Sequence, residues 1–365
     1  MSVVIDLGVY GENGYNTTKR DTIHDIQPEL NHTTIGALAR TADQYEFVLH
    51  PGDLAYADQW GDRPSNAHDG KNAFEAILET FYNQLSPISR RKPYMVSPGN
   101  HEANCQDKVP AKNYSCPEGQ SNFTDFMNRF GRTVPTAFLS TSQSTAAQSQ
   151  ALKAASLAVP PFWYSFEYGM AHIVMINTET DYPGATDGPK SFYNAGNFSA
   201  PNQQLAFLEA DLASVDRSVT PWVILGGHRP WYSSVGDRCR PCQEAFEELM
   251  YKYGVDVAIF GHVHNAQRFD PMYRNATDPR GLNDPKAPMY LIMGGAGNIE
   301  PLAALPPGEN ATGMVFAYAD GYSYGNVKFL DRNRLGVDFI RSSTGEVLDS
   351  SELYKNHSVD FVLQE

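Results

Sequence analysis

The chain has 365 residues, enough for one large core or two ordinary domains. Hydrophobic residues make up 41% and charged residues 19%, a globular composition, and no apolar stretch approaches the roughly 18 residues of a membrane helix. The formal net charge of −14 argues against nucleic acid as a partner and suits a protein working in mildly acidic surroundings.

Along the chain, short apolar runs each lead into a polar, glycine-marked motif. Val3-Val4-Ile5 reads as a buried strand and runs into Asp6-Leu7-Gly8. Phe47-Val48-Leu49 precedes Gly52-Asp53-Leu54-Ala55-Tyr56. Phe74, Ile77, Leu78, Phe81 and Leu85 share one helical face, and Pro87 is expected to stop that helix. Tyr94-Met95-Val96 leads to Gly99-Asn100-His101-Glu102. The Ser/Gln/Ala-rich stretch from Ser140 to Ala158 reads as a surface insertion. A strand pattern around His172 makes that histidine structural. Leu205, Leu208, Leu212 and Val215 mark a helix for which Asn202 is the expected N-cap. Val223-Ile224-Leu225 runs into Gly226-Gly227-His228-Arg229-Pro230, and a helix comes after it from Cys242 to Tyr253. Val255 to Phe260 leads to Gly261-His262-Val263-His264. Near the end, Val327 to Leu330, a turn at Asp331-Arg332-Asn333, and alternating Leu335, Val337 and Phe339 predict an antiparallel hairpin. Strands alternating with helices imply an α/β architecture.

Loops at the C-terminal ends of such strands can converge on one point. They carry carboxylates (Asp6, Asp53), a phenol (Tyr56), an amide (Asn100) and imidazoles (His228, His262, His264), the donors that suit Fe(III), Zn(II) or Mn(II). Seven ligands are too many for one ion, but serve two if one carboxylate bridges them, at the separation of about 3.5–4 Å usual for paired catalytic metals. Each motif alone has an ordinary explanation: Gly-Asp and Gly-Asn-His occur in turns, and a lone His228 would be a packed core residue. On a strand the two rings of Gly-His-Val-His would face opposite ways, so a shared site requires a loop there.

Four cysteines fall into two local pairs, Cys105 with Cys116 and Cys239 with Cys242. The Cys-X-X-Cys pair lacks a thioredoxin-like context and reads as a structural bond or loop staple rather than a redox site. Eight Asn-X-Ser/Thr sequons, at Asn16, Asn31, Asn113, Asn122, Asn197, Asn275, Asn310 and Asn356, predict a glycosylated protein of the secretory pathway, extracellular or vacuolar. Met1 to Asp6 lacks a charged n-region and a cleavage site, so sequence is expected to be missing upstream.

These motifs, in this order, resemble the metallophosphoesterase superfamily and, within it, the purple acid phosphatases, with a texture similar to secreted fungal enzymes. Most superfamily members have Asp-X-His in the first motif. Here Gly8 takes the histidine's place and Tyr56 supplies a ligand from the second, and the two departures compensate. The resemblance implies a sandwich of two mixed β-sheets flanked by helices. It also implies a single catalytic domain over residues 1–365, with a closing hairpin at about 315–345 and no separate N-terminal β-sandwich domain. It places Asp6, Tyr56 and His264 on Fe(III), Asn100, His228 and His262 on a divalent Zn, Fe or Mn ion, and Asp53 between them. A metal-bound hydroxide would attack phosphorus in line. His101 would contact phosphate or protonate the leaving alkoxide, or else orient a neighbouring ligand. Ile5 stands where the family usually has Gly. Asp237 and Arg238 stand where plant relatives have two histidines. Arg238 could bind phosphate as a fixed fork but cannot act as a general acid; Asp237 could if its pKa were raised; the two could equally form a salt bridge on a solvated loop.

The expected reaction is hydrolysis of small phosphate monoesters at acid pH. The alternatives are diester or phytate specificity at the same site, and a secreted glycoprotein that retains metal without turnover. Oligomeric state is not encoded in any motif.

Overall fold

The computed structural model describes residues 1–9, 34–62, 70–105, 116–135, 140, 142–191, 193–300, 302–306 and 311–364. The elements run β1 (Ser2–Val3), α1 (Thr34–Arg40), β2 (Val48–Pro51), α2 (Gly70–Ser89), β3 (Tyr94–Ser97) and the one-turn α3 (Asn100–Ala103). Then come α4 (Thr124–Phe130), α5 (Thr145–Leu157), β4 (Tyr164–Tyr168), β5 (Ala171–Met175), α6 (Gln203–Ala213), β6 (Trp222–Gly226), α7 (Arg240–Lys252) and β7 (Val257–Phe260). The remainder is β8 (Ala266–Phe269), β9 (Met272–Tyr273), β10 (Ala276–Thr277), β11 (Met289–Met293), β12 (Met314–Tyr318), β13 (Ser323–Phe329), β14 (Arg334–Arg341) and β15 (Val347–Tyr354).

Among the described residues these strands form a six-stranded sheet ordered β15-β14-β13-β1-β2-β3, a seven-stranded sheet ordered β12-β8-β11-β7-β6-β5-β4, and a ribbon of β9 and β10. β1, β2 and β3 are parallel, as are β5, β6, β7 and β11, while the flanking pairs are antiparallel. The fold is thus two mixed sheets flanked by helices, as expected. The central strands are buried on both faces, which explains their continuous apolar runs. The sheets share one buried cluster, and Tyr164 Oη of β4 joins them by donating to Val96 O of β3 at 2.7 Å.

Four expectations need correction or extension. α2 buries its predicted face but runs through Pro87 to Ser89, because a proline this close to the end forfeits one backbone bond rather than the helix. Asn202 occupies the N-cap position of α6 at φ 60°, a left-handed geometry from which its side chain does not cap; Ala200 N instead donates to Gln203 Oε1 at 3.2 Å. Most of the stretch read as a surface insertion is α5, capped by Ser144 and packed on α6 through buried Ala147, Ala151 and Ala154. The predicted hairpin is β13 and β14, with Asp331 Oδ1 accepting from Asn333 N and Arg334 N in its turn. β15 extends it, and β13 pairs with β1, so the closing strands complete the first sheet.

Both cysteine pairs are disulfides, Cys105–Cys116 and Cys239–Cys242, the second at the start of α7. Asn122, Asn197, Asn275 and Asn356 are at least partly exposed; the sequons at Asn16, Asn31, Asn113 and Asn310 lie outside the described residues. No described helix is long and apolar enough to cross a membrane.

Candidate metal centre

All seven predicted ligands come directly after parallel strands and meet between the two sheets. The first sheet supplies the oxygen donors: Asp6 after β1, Asp53 and Tyr56 after β2, and Asn100 after β3. The second supplies the imidazoles: His228 after β6, and His262 and His264 after β7. The turns that aim them are strained. Asp6, Asp53, Tyr56 and His262 have φ of 60°, 52°, 55° and 64°, a left-handed conformation that costs about 1–3 kcal/mol per non-glycine residue and persists only where surroundings enforce it. Gly-His-Val-His lies in a bend, with Val263 N on Gly261 O and Asn265 N on Val263 O, so both rings reach one site as a shared centre requires. Gly99 is needed for close approach, because a Cβ there would collide with Asp53 Oδ1.

The donor atoms fall into two sets. Asp6, Asp53 and His264 can each offer an atom within 4.8 Å of the others, and so can Asp53, His228 and His262. Asp53 belongs to both. Tyr56 joins the first set, with Oη 3.1 Å from Asp6 Oδ1, 3.3 Å from Asp53 Oδ2 and 2.9 Å from His264 Nε2. Asn100 joins the second, with Oδ1 3.2 Å from His228 Nε2, which itself lies 3.0 Å from Asp53 Oδ2.

The electrostatics suit cations. Asp6, Asp53 and His228 are fully buried. Burial raises the Asp6 carboxyl well above its usual range. Burial opposes the Asp53 charge too, but His228 and His101 hold its carboxyl well below that range. Burial likewise disfavours charge on His228, but Asp53 raises it to about 9. Burial lowers His264 to about 4 and also depresses His262, leaving neutral rings with lone pairs to offer. Two buried carboxylates against three imidazoles cost free energy unless a cation compensates them, so these residues fit a pair of metal ions. The side chains of His262 and His264, 13% and 11% exposed, form the open side of the cluster.

His101 is buried against Tyr56, with ring centroids 4.0 Å apart. Its backbone N donates to Asp53 Oδ1 at 2.9 Å and its Nδ1 lies 2.8 Å from Asp58 Oδ2, which leaves Nε2 directed toward the cluster, 3.8 Å from Asp53 Oδ2. Asp237 Oδ2 lies 3.0 Å from His262 Nε2, and that hydrogen bond lowers its carboxyl to about 2. Arg238 is not brought to the cluster by any described contact: its Nε donates to Ser233 O, and it lines an open groove with Arg240 and Arg274.

The supporting groups were missed from sequence. Glu102 accepts from the backbone N–H groups of Gly99, Asp53 and Leu54 at 2.8–2.9 Å, tying the second and third motifs together. Asn298 holds Asp6 O at 3.1 Å. Arg229, next to His228, brings Nη1 within 2.8 Å of His262 Nε2 while its Nε bonds buried Glu179. Glu102 and Arg229 lie inside the ligand motifs, so adjacency was the available signal. Asp58 and Glu179 had none.

The chain is similar to known proteins in both sequence and fold. Residues 20–266 match the calcineurin-like phosphoesterase family, and residues 287–350 match the iron/zinc purple acid phosphatase-like protein C family. The chain is 56% identical to acid phosphatase A of Cryphonectria parasitica, aligning over 100% of this chain and 74% of that one. It is 31% identical to an acid phosphatase of Aspergillus ficuum, over 86% of this chain and 56% of that one. In fold it resembles the purple acid phosphatase from yellow lupin (Lupinus luteus) seeds, with TM-score 0.67 and 24% identity, over 98% of this chain and 54% of that one. The chain therefore spans three quarters of the first relative's length and about half of the other two.

Proposed function

We infer function from a plain membership: the chain belongs to the calcineurin-like phosphoesterase family and, within it, to the purple acid phosphatases. It is an acid phosphatase that hydrolyses phosphate monoesters, and it acts as one catalytic domain built from both sheets. The observation that carries this reading is the sharing of Asp53 between two donor sets, one of which contains a tyrosine.

Asp6, Tyr56 and His264 would hold Fe(III), and Asn100, His228 and His262 a divalent Zn, Fe or Mn ion, with Asp53 between them. Bound there, the two ions would supply a water nucleophile at acid pH and neutralise charge on the phosphoryl oxygens. The chain's own groups do the rest. Glu102 and the left-handed turns hold the ligands in place before substrate arrives. His101, its Nδ1 held by Asp58, keeps a proton on Nε2 for the leaving alkoxide. Asp237, at the mouth and 65% exposed, is kept ionised by its hydrogen bond to His262, which leaves His101 as the proton donor. Substrates are small phosphorylated molecules, and the exposed sequons support a secreted glycoprotein.

Turnover of mono- and diester substrates, measured side by side near pH 5, tests the reading. Preferential monoester hydrolysis is expected. A strong diester preference would replace this function with the phosphodiesterase alternative, and no turnover of either by the metal-loaded protein would favour the binding glycoprotein.

A further inference from the structure

The metal ligands account for seven side chains at this site but not for the buried ion pair beside them. Glu179 is fully buried in the loop after β5, a strand end that carries no ligand. Its Oε2 accepts from Arg229 Nε at 2.6 Å, and Asp187 Oδ2 lies 3.9 Å from Arg229 Nη2. Thr178, on the same loop, accepts from the backbone N of Arg229 at 2.9 Å and donates to Glu179 Oε1 at 3.0 Å. Buried charges are retained where they are paired and hydrogen-bonded, and this pair fixes one edge of a guanidinium while leaving Nη1 to aim elsewhere.

Nη1 points into the cluster. It lies 2.8 Å from His262 Nε2, the same nitrogen that lies 3.0 Å from Asp237 Oδ2. A cationic N–H therefore sits on the open side of the site, where the His262 side chain is 13% exposed and that of Arg229 12%.

Resting on the acid phosphatase reading, we propose that Arg229 binds the phosphate group of the substrate. Glu179 holds Arg229 at the mouth with Nη1 turned to the cluster, where a phosphate oxygen would be a stronger acceptor for a cationic N–H than an imidazole nitrogen that already faces Asp237. Arg229, unlike Arg238, is clamped toward the site.

The test uses inorganic phosphate as the probe of metal-loaded wild type and the variants Arg229→Gln and Arg229→Lys. Phosphate affinity is measured by calorimetry, metal content on the same samples, and KM and kcat on a monoester. Arg229→Gln should weaken phosphate binding and raise KM by about tenfold or more, with metal per chain unchanged. Arg229→Lys should recover part of the affinity, as a point charge without the fork. If Arg229→Gln destabilises the fold, Arg229→Lys, which keeps the charge opposite Glu179, carries the same comparison. Unchanged phosphate affinity would overturn the proposal. So would a fall in metal content, since Arg229 would then be positioning His262. If wild type turns over no monoester, the proposed function fails, while the calorimetric comparison still decides the role of Arg229.

Discussion

Tyr56 Oη stands 2.9 Å from His264 Nε2 across 208 residues of chain, and in doing so joins the first sheet to the second at the candidate metal pair. A phenol that close to a histidine and two carboxylates has burial and Asp6 raising its pKa well above the usual phenol value, so it ionises only if a strong Lewis acid takes the proton's place. Tyr56→Phe, which preserves volume, should abolish any tyrosinate-to-iron colour and lower iron content while leaving the Asn100, His228 and His262 set able to hold a divalent ion. Absorption spectra and metal analysis of the two proteins check this.

Asp53 belongs to both donor sets, so its removal should empty both. Asp53→Asn is expected to lose both metals and reduce turnover beyond the roughly 10–100-fold that loss of a merely supporting partner costs. Retained activity would overturn the ligand assignment.

Glu102 is such a supporting partner. Its carboxylate accepts three backbone N–H bonds, and burial, with the charge of Asp53, raises its pKa to about 8. Glu102→Ala leaves those donors without their acceptor and should weaken metal binding by about 10–100-fold, read by competition with a chelator.

Two buried ion pairs away from the cluster make stability depend on pH. His172 is buried, and burial alone would lower its pKa, but the Asp211 carboxylate 2.8 Å away raises it to about 9. A folded pKa above the unfolded value contributes stability that is fully present below about pH 6.5 and lost as pH rises through about 9. Asp256 works from the other side: burial opposes its charge, yet Arg217 and Lys355 hold its carboxyl well below the usual range. It contributes stability present above about pH 4 and lost as pH falls through the lower folded value. These two contributions are both complete only between about pH 4 and 6.5. His172→Gln should cost on the order of 2–3 kcal/mol more at pH 5 than at pH 9. An equal cost at both would contradict the assignment.

The ligands were legible because each lies next to a short apolar run, so that a few neighbouring residues specify both the strand and the loop at its end. α5 was not, because its buried face is Ala147, Ala151 and Ala154, too small to mark a hydrophobic period in a stretch of serine and glutamine. Asn202 showed where α6 begins, but not that its backbone would be left-handed. Asp58 and Glu179 were hidden for another reason: each is a lone acid whose importance comes from a partner 43 or 50 residues away, so only tertiary packing reveals it.

The central claim is that two metals share Asp53 and that one of them, iron, carries Tyr56. A visible absorption spectrum of the purified protein, with metal analysis on the same sample, tests it most directly. The account predicts a broad band near the middle of the visible range and about two metals per chain, one of them iron. A colourless protein holding two zinc or manganese ions would keep the phosphoesterase site but remove tyrosinate–iron chemistry. A protein that binds no metal even after reconstitution would contradict the account.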